Sequence, residues 1–143
     1  MPPAAQPATV RPQKGKILAL LEADRMVEKT RIMSFDIDDL TCLKQSHPTV
    51  RLGGLLSARQ VSEGRSIATL LDEVLAAKVQ LAGLQHTLLT TDLVAAARQR
   101  GLMVAAWTVN DETAMQRMLG LGIDILISDR PDLAKRLVTA NGP

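Results

Sequence analysis

The residues best suited to binding a ligand follow apolar segments that read as strands. Trp107–Asn110 and Ser128–Arg130 each come directly after a run of apolar residues, and Ser34–Asp36 follows a shorter run. The chain has one Trp, one Phe and no Tyr, and both aromatic residues fall in these segments. An aromatic side chain at the mouth of a fold supplies an apolar wall and a stacking surface. The pattern predicts a binding rim containing Phe35 and Trp107, with plugging of the core as the alternative role for both.

The same rim is poor in groups for acid–base catalysis. Asp36 and Asp111 stand where helices are predicted to begin and are interpreted as N-caps, and Asp129 is interpreted as a cap of the last helix. His86 is the one histidine on the rim, and a histidine without a partner is a weak catalytic candidate. His47 is interpreted as ending a helix. The sequence therefore assigns no catalytic residue.

Nucleophile, nucleotide and metal patterns are also missing from the sequence. Cys42 falls in a predicted helix. Because it is the single cysteine, it can form no disulfide within the chain. There is no Gly-x-Ser-x-Gly elbow, no phosphate-binding Gly-x-x-x-x-Gly-Lys loop and no Gly-x-Gly-x-x-Gly turn. The two histidines lie far apart with no flanking ligand pattern, so no metal ligands are assigned.

The elements that must position the rim alternate between helices and strands from residue 14 onward. Strands that are short and apolar on both faces are typical of parallel sheets covered by helices. Asp36, Ser66, Thr91 and Asp111 are predicted N-caps, Gly101 is a predicted C′ residue, and residues 57–65 are predicted to be a loop. Strands are predicted at 31–35, 50–56, 79–84, 102–109 and 123–128. Helices are predicted at 14–28, 36–45, 66–75, 91–100, from 111 to 120 or 122, and at 131–139.

Composition favours one globular α/β domain over residues 14–140, preceded by a disordered Pro- and Ala-rich leader over residues 1–13. Apolar residues make up 46% of the 143 residues, charged residues 22%, and the net charge is +2. The basic residues are scattered, so no nucleic-acid interface is predicted. No apolar run is long enough for a transmembrane helix, and no signal peptide is visible. The expected compartment is the cytoplasm.

Three segments resemble one enzyme family. Leu102–Asp111 is similar to the penultimate strand of glycerophosphodiester phosphodiesterases, and Gly120–Asp132 is similar to their last strand, with Ser128 where Thr is usual. Met33–Asp36 resembles the Ser-Phe motif of their fifth strand. The resemblance covers residues 14 to 138.

The resemblance implies a TIM-type barrel that hydrolyses glycerophosphodiesters to glycerol 3-phosphate and an alcohol with a divalent metal, Ca or Mg. The family's acid–base histidines lie in His-Arg-Gly and His-Asp motifs, and its metal-binding carboxylates lie in Glu-Asn-Thr, Glu-x-Asp and Glu-x-Lys. None of these is mapped onto this sequence. What carries over is a pocket wall of Phe35 and Trp107, with Ser34 and Asn110 as substrate contacts.

A whole barrel needs about 250 residues, so the chain is predicted to form a partial TIM-type barrel, roughly the C-terminal half. Its exposed edges and interior would favour pairing. Three hypotheses remain open. The chain is an enzyme half that is inactive alone, or a non-catalytic half-barrel that self-associates or complements a partner half. The third is a doubly wound domain that binds a phosphorylated small molecule.

Overall fold

The computed structural model describes residues 12–142, in which helices and strands alternate. Two short 3₁₀ turns, Val27–Lys29 and His86–Leu88, interrupt the connections. Of the predicted leader, residues 1–11 lie outside the described residues, and residues 12 and 13 stand in the first turn of α1. The elements are α1 (Pro12–Ala23), β1 (Arg31–Ser34), α2 (Ile37–Ser46), β2 (Arg51–Leu56), α3 (Ala58–Ser62), α4 (Ile67–Ala76), β3 (Leu81–Gln85), α5 (Thr91–Gln99), β4 (Met103–Trp107), α6 (Glu112–Gly120), β5 (Ile125–Leu126) and α7 (Pro131–Ala140).

The five strands form one parallel sheet in the order β1-β2-β3-β4-β5. Each strand lies beside the next strand in the chain, which is the order found in a βα barrel. A doubly wound sheet instead reverses its strand order at a switch point, and the described strands contain no such reversal. The partial TIM-type barrel is confirmed, and the doubly wound alternative is wrong.

The two faces of the sheet have different surroundings. Even-numbered strand residues such as Ile32, Leu84 and Val104 pack against the helices in the main core cluster. The odd-numbered residues of β1–β5 form what we call the open face, and its apolar side chains do not belong to that cluster. On the open face Met33, Leu55 and Trp107 are only half-buried, and Met103 is 39% exposed. In the described residues, the helices therefore cover one side of the sheet.

Most predicted helix ends are confirmed. Asp36, Ser66 and Asp111 each accept a hydrogen bond from the backbone N–H three residues further on, so all three are N-caps. Gly101 follows α5 with a φ of +71°, the left-handed conformation expected of a C′ glycine. His47 is the C-cap of α2, as predicted. These contacts support the predicted starts of α2, α4 and α6 and the predicted ends of α2 and α5.

Three local predictions need correction. The cap of α5 is Thr90 and not Thr91, because two successive threonines are equivalent as caps and the pattern cannot choose between them. The predicted loop at 57–65 contains α3, which begins where the Ser57 N–H donates to Gln60 Oε1 at 2.8 Å. The first predicted helix ends at Ala23 and not at 28, because the backbone turns left-handed at Arg25.

The last strand is shorter than the predicted 123–128. Strand pairing covers only Ile125–Leu126, but the chain runs beside β4 for longer. The Asp124 N–H donates to the Val104 carbonyl, and Asp124 Oδ2 accepts from the Val104 N–H at 2.8 Å. A carboxylate thus takes the place of a main-chain acceptor at the end of this strand. None of the helices in residues 12–142 has the length and apolar character needed to cross a membrane.

Candidate functional site

Trp107 is held across the carboxyl end of the sheet by one main-chain hydrogen bond. It is the last residue of β4, and its indole N–H donates to the carbonyl of Gly83 in β3 at 2.8 Å. Since Trp107 pairs with Gln85 in register, the ring lies back over the neighbouring strand. A half-buried indole whose N–H is satisfied presents an apolar surface in a fixed orientation.

Glycine in β3 leaves room for this wall. A Cβ at Gly83 would lie 2.8 Å from Met33 Cε, 3.1 Å from Leu55 Cδ2 and 3.6 Å from Trp107 Cδ1. Side chains from β1, β2 and β4 therefore converge over a position without a side chain. Trp107 could be predicted from the sequence and Gly83 could not, because the glycine becomes informative only when the strands are aligned.

Phe35 extends the wall beyond the strand end. Its ring meets that of Trp107 edge to face, with centroids 5.6 Å apart and an interplanar angle of 88°. Phe35 is 50% exposed, so it does not plug the core. The structure thus brings together the two aromatic residues that the sequence placed on one rim.

Asn110 joins the last two strand–helix loops. Its Nδ2 donates to Asp129 Oδ2 at 3.0 Å, and its Oδ1 accepts from the Asp129 N–H at 2.9 Å and from Ser128 Oγ at 3.3 Å. These bonds hold the rim together, and they engage the amide that the sequence analysis assigned to substrate. The Arg130 N–H donates to Ser128 Oγ at 2.9 Å, which ties the start of α7 to the same loop.

The assignment of Asp129 as the cap of the last helix is wrong. The N-cap of α7 is Arg130, which has no capping side-chain bond, and the Asp129 carboxylate turns instead to Asn110. A hydrogen bond from Arg130 lowers the pKa of Asp132, and the same bond raises the pKa of Arg130. Both groups are fully exposed, so the pair contributes charge to the rim rather than stability.

Ser34 is engaged by two donors. Lys14 Nζ donates to Ser34 Oγ at 3.0 Å, and the Asp36 N–H donates to the same oxygen at 3.1 Å. Lys14 also forms an ion pair of 2.6 Å with Asp39 of α2. The hydroxyl predicted to contact substrate therefore anchors α1 and the β1–α2 turn.

A cavity of about 760 Å³ lies on the other side of Phe35, between α2 and α4. It is lined by Phe35 and Asp36 at the rim and by Asp38 and Glu73 on the two helices. Glu73 forms an ion pair with Arg65 there. The cavity opens among the helices and not onto the open face, so we place the candidate site at the aromatic wall and not in this cavity.

The described residues do not fit a divalent metal. Three or more His, Cys, Asp or Glu side chains nowhere come together within residues 12–142. At the rim, Asp36 and Asp111 cap helices and Asp129 bonds Asn110. Hard cations need several oxygen ligands at once. We therefore derive no chemical step through a metal from these residues.

Comparisons with known proteins agree with this geometry. The model of the glycerophosphoryl diester phosphodiesterase family matches residues 4–133. A glycerophosphodiester phosphodiesterase of Bacillus subtilis (strain 168) is 29% identical over 133 residues, which cover 89% of this chain and 44% of the relative. One from Arabidopsis thaliana is 37% identical over 59 residues, 41% of this chain and 18% of that protein.

Solved structures show the same partial coverage. A glycerophosphoryl diester phosphodiesterase of Silicibacter pomeroyi DSS-3 is 28% identical with a TM-score of 0.81, covering 90% of this chain and 44% of that structure. A phosphodiesterase of Oleispira antarctica, solved with its product sn-glycerol-3-phosphate, is 20% identical with a TM-score of 0.65, covering 76% of this chain and 41% of that one. The chain therefore spans less than half the length of these structures. By the match over residues 4–133, the chain belongs to the glycerophosphoryl diester phosphodiesterase family.

Proposed function

We propose that this chain supplies one half of a glycerophosphodiester phosphodiesterase barrel and is inactive without the other half. The observation that carries the proposal is the open face, where apolar side chains gather over Gly83 without a covering layer among the described residues. Sheets in this family are closed barrels, so the open face is the surface that the complementary half would cover.

In this proposal the described half contributes shape and not proton transfer. Phe35 and Trp107 form an apolar wall against which the glycerol or alcohol portion of a glycerophosphodiester would lie. Asn110 would act through the rim, by holding the loops that carry Ser128 and Asp129 in one position. The Oleispira antarctica structure with sn-glycerol-3-phosphate supports this choice of substrate class.

The acid–base groups and the metal would come from the complementary half. A divalent metal, Ca or Mg, held by that half would supply positive charge for the phosphodiester. The carboxylates described at the rim are committed to caps and loop bonds. The two histidines do not form an acid–base pair, because His47 ends α2 before the start of β2 and His86 begins a 3₁₀ turn after the end of β3.

The first prediction concerns activity. We expect the purified chain with Ca²⁺ or Mg²⁺ to release no glycerol 3-phosphate from glycerophosphocholine, because positioned acid–base groups are needed for turnover. The measurement is an enzyme-coupled assay for glycerol 3-phosphate. The Trp107→Ala variant, which removes the wall, is the control. If the chain alone released product and this variant did not, the activity would belong to the chain and the proposal would be contradicted.

A second candidate function is a non-catalytic module that self-associates or complements a partner half. The observation that favours it is the exposure of apolar side chains on the open face, with Met103 39% exposed and Met33, Leu55 and Trp107 half-buried. Contiguous exposed apolar surface of this kind is typical of a protein–protein contact.

The second prediction concerns association. We expect light scattering to show a concentration-dependent dimer at micromolar concentrations, because burying the open face removes apolar surface from water. Trp107 is the one Trp and the chain has no Tyr, so its emission should shift to the blue as the dimer forms. Leu55→Glu on the open face should abolish the shift, and Leu20→Glu, at a 65% exposed position of α1, should not. A folded monomer throughout this range would argue against the module.

A further inference from the structure

A second cavity lies at the amino end of the strands, opposite Phe35 and Trp107. It has a volume of about 130 Å³ and is bounded by the starts of β1, β2 and β3 and by the ends of α2 and α4. Four of its lining residues are cations: Arg31, Lys44, Arg51 and Lys78. None of its described lining residues is acidic.

These four cations have no carboxylate partner in the described part of the chain. None of them forms an ion pair there, although seven other basic residues do. Two of these four cations donate to main-chain carbonyls, Arg31 to Leu52 O at 2.9 Å and Lys44 to Val50 O at 3.3 Å. Burial and the nearby charge of Arg51 lower the pKa of Arg31. Positive charge here is concentrated and not neutralised.

Helix dipoles account for only part of this arrangement. Lys44 lies in the last turn of α2 and Lys78 directly follows the C-cap of α4, where the partial negative charge of a helix end stabilises a cation. Arg31 and Arg51 stand opposite each other at the starts of neighbouring strands, with no helix end to offset them. Two like charges placed in register on adjacent strands destabilise the sheet unless something binds between them.

Lys78 adds a second observation. Its φ is +59°, in the left-handed region, and its N–H and that of Val79 bond back to Leu75 and Val74 to close α4. Glycine is the residue that usually occupies this position, and a lysine there is strained. Local strain of this kind is found where a side chain is needed for binding. The strain places a cation beside the cavity at a cost in stability.

We propose that this cavity binds a tetrahedral oxyanion of the phosphate class. The volume suits one phosphate group and is well below the roughly 300 Å³ at which pockets for larger ligands begin. Guanidinium groups bind phosphate oxygens in pairs, and lysine ammonium groups add charge. Arg31 and Arg51 belong to the open face but stand at the amino ends of the strands, so the inference does not depend on the aromatic wall at the carboxyl ends.

The test is calorimetric titration of the chain with inorganic phosphate at fixed ionic strength, since added salt alone screens exposed charges. We expect one saturable site with a Kd of about 1 mM or tighter, and Arg51→Gln should weaken it at least about tenfold. Arg136→Gln removes an equal charge from an exposed position on α7 and should leave the Kd unchanged. If glycerol 3-phosphate binds with the same Kd as inorganic phosphate, the cavity recognises the phosphate group alone. If it binds more tightly, the cavity also contacts the glycerol portion of the ester.

Lys78→Gly separates binding from folding. Glycine relieves the left-handed strain, so the variant should unfold at a higher temperature than the parent without phosphate. Added phosphate should nevertheless raise its unfolding temperature by less than that of the parent, because one phosphate-binding side chain is gone. The proposal is overturned if phosphate shows no saturable binding, or if Arg136→Gln loses as much affinity as Arg51→Gln.

Discussion

Replacing Lys14 with methionine is expected to lower the free energy of unfolding by about 3 kcal/mol. The ammonium group lies 2.6 Å from Asp39 Oδ2 and 3.0 Å from Ser34 Oγ, and the two charged side chains are only 16% and 8% exposed. Methionine keeps the apolar stem but removes the charge. The Asp39 carboxylate then stays buried with much less compensation, which is where most of the loss arises.

Urea unfolding followed by circular dichroism measures the effect. Lys16→Met, at an exposed position of the same helix, is the matched control and should change stability by less than about 0.5 kcal/mol. Combining Lys14→Met with Asp39→Leu should recover most of the loss, because an apolar pair can replace a buried ion pair at little cost. A Lys14→Met variant as stable as the parent would mean that the pair is solvated in solution.

This ion pair also holds the β1–α2 turn, which carries Phe35 on the rim. α1 exposes Ile17 and Leu20 and buries Leu18, so it contributes only a small apolar contact to the core. Lys14 connects that helix to the end of β1 and to the first turn of α2. We therefore expect its loss to loosen the turn that carries Phe35.

The rim could be predicted from sequence because parallel strands bring their carboxyl ends to one edge. Apolar runs marked the strands, so Phe35 and Trp107 were predicted to fall on one rim, and in the structure their rings meet. Helix caps were also predictable, since a cap is recognised from residues within one turn. The cap of α5 is Thr90 where Thr91 was predicted, so such patterns locate a cap to within about one residue.

Contacts between distant segments could not be predicted in this way. The Lys14–Asp39 pair joins residues 25 apart, and Asn110 and Asp129 are 19 apart. Asp129 precedes Arg130-Pro131 and so resembled a cap, but the neighbouring loop offered Asn110 as a better partner. The cationic cavity was hidden for the same reason, because its four basic residues come from four different segments of the sequence.

Gly54 and Gly53 are adjacent in β2 but face opposite sides of the sheet, and Gly54→Ala is expected to cost about 2–3 kcal/mol. A Cβ at Gly54 would lie 2.7 Å from Val74 Cγ2 and 3.4 Å from Ile37 Cδ1. Val74 is fully buried and its branched side chain has little rotamer freedom. Either α4 must move away from the sheet or the new methyl group must overlap with it, and both outcomes destabilise the core.

Gly53→Ala supplies the contrast, because its Cβ would lie 3.1 Å from Leu81 Cδ2, 3.1 Å from Met33 Cγ and 3.3 Å from Met33 Cε on the open face, with no contact under 3.0 Å. Met33 is half-buried and flexible, so it can shift, and we expect a change of less than about 1 kcal/mol. Urea unfolding of both variants at low protein concentration measures the difference. Equal costs would mean that both faces are packed alike and would contradict the open face. A Gly53→Ala cost that rises with protein concentration would instead indicate that a second copy covers Met33, because a covered side chain could no longer move aside.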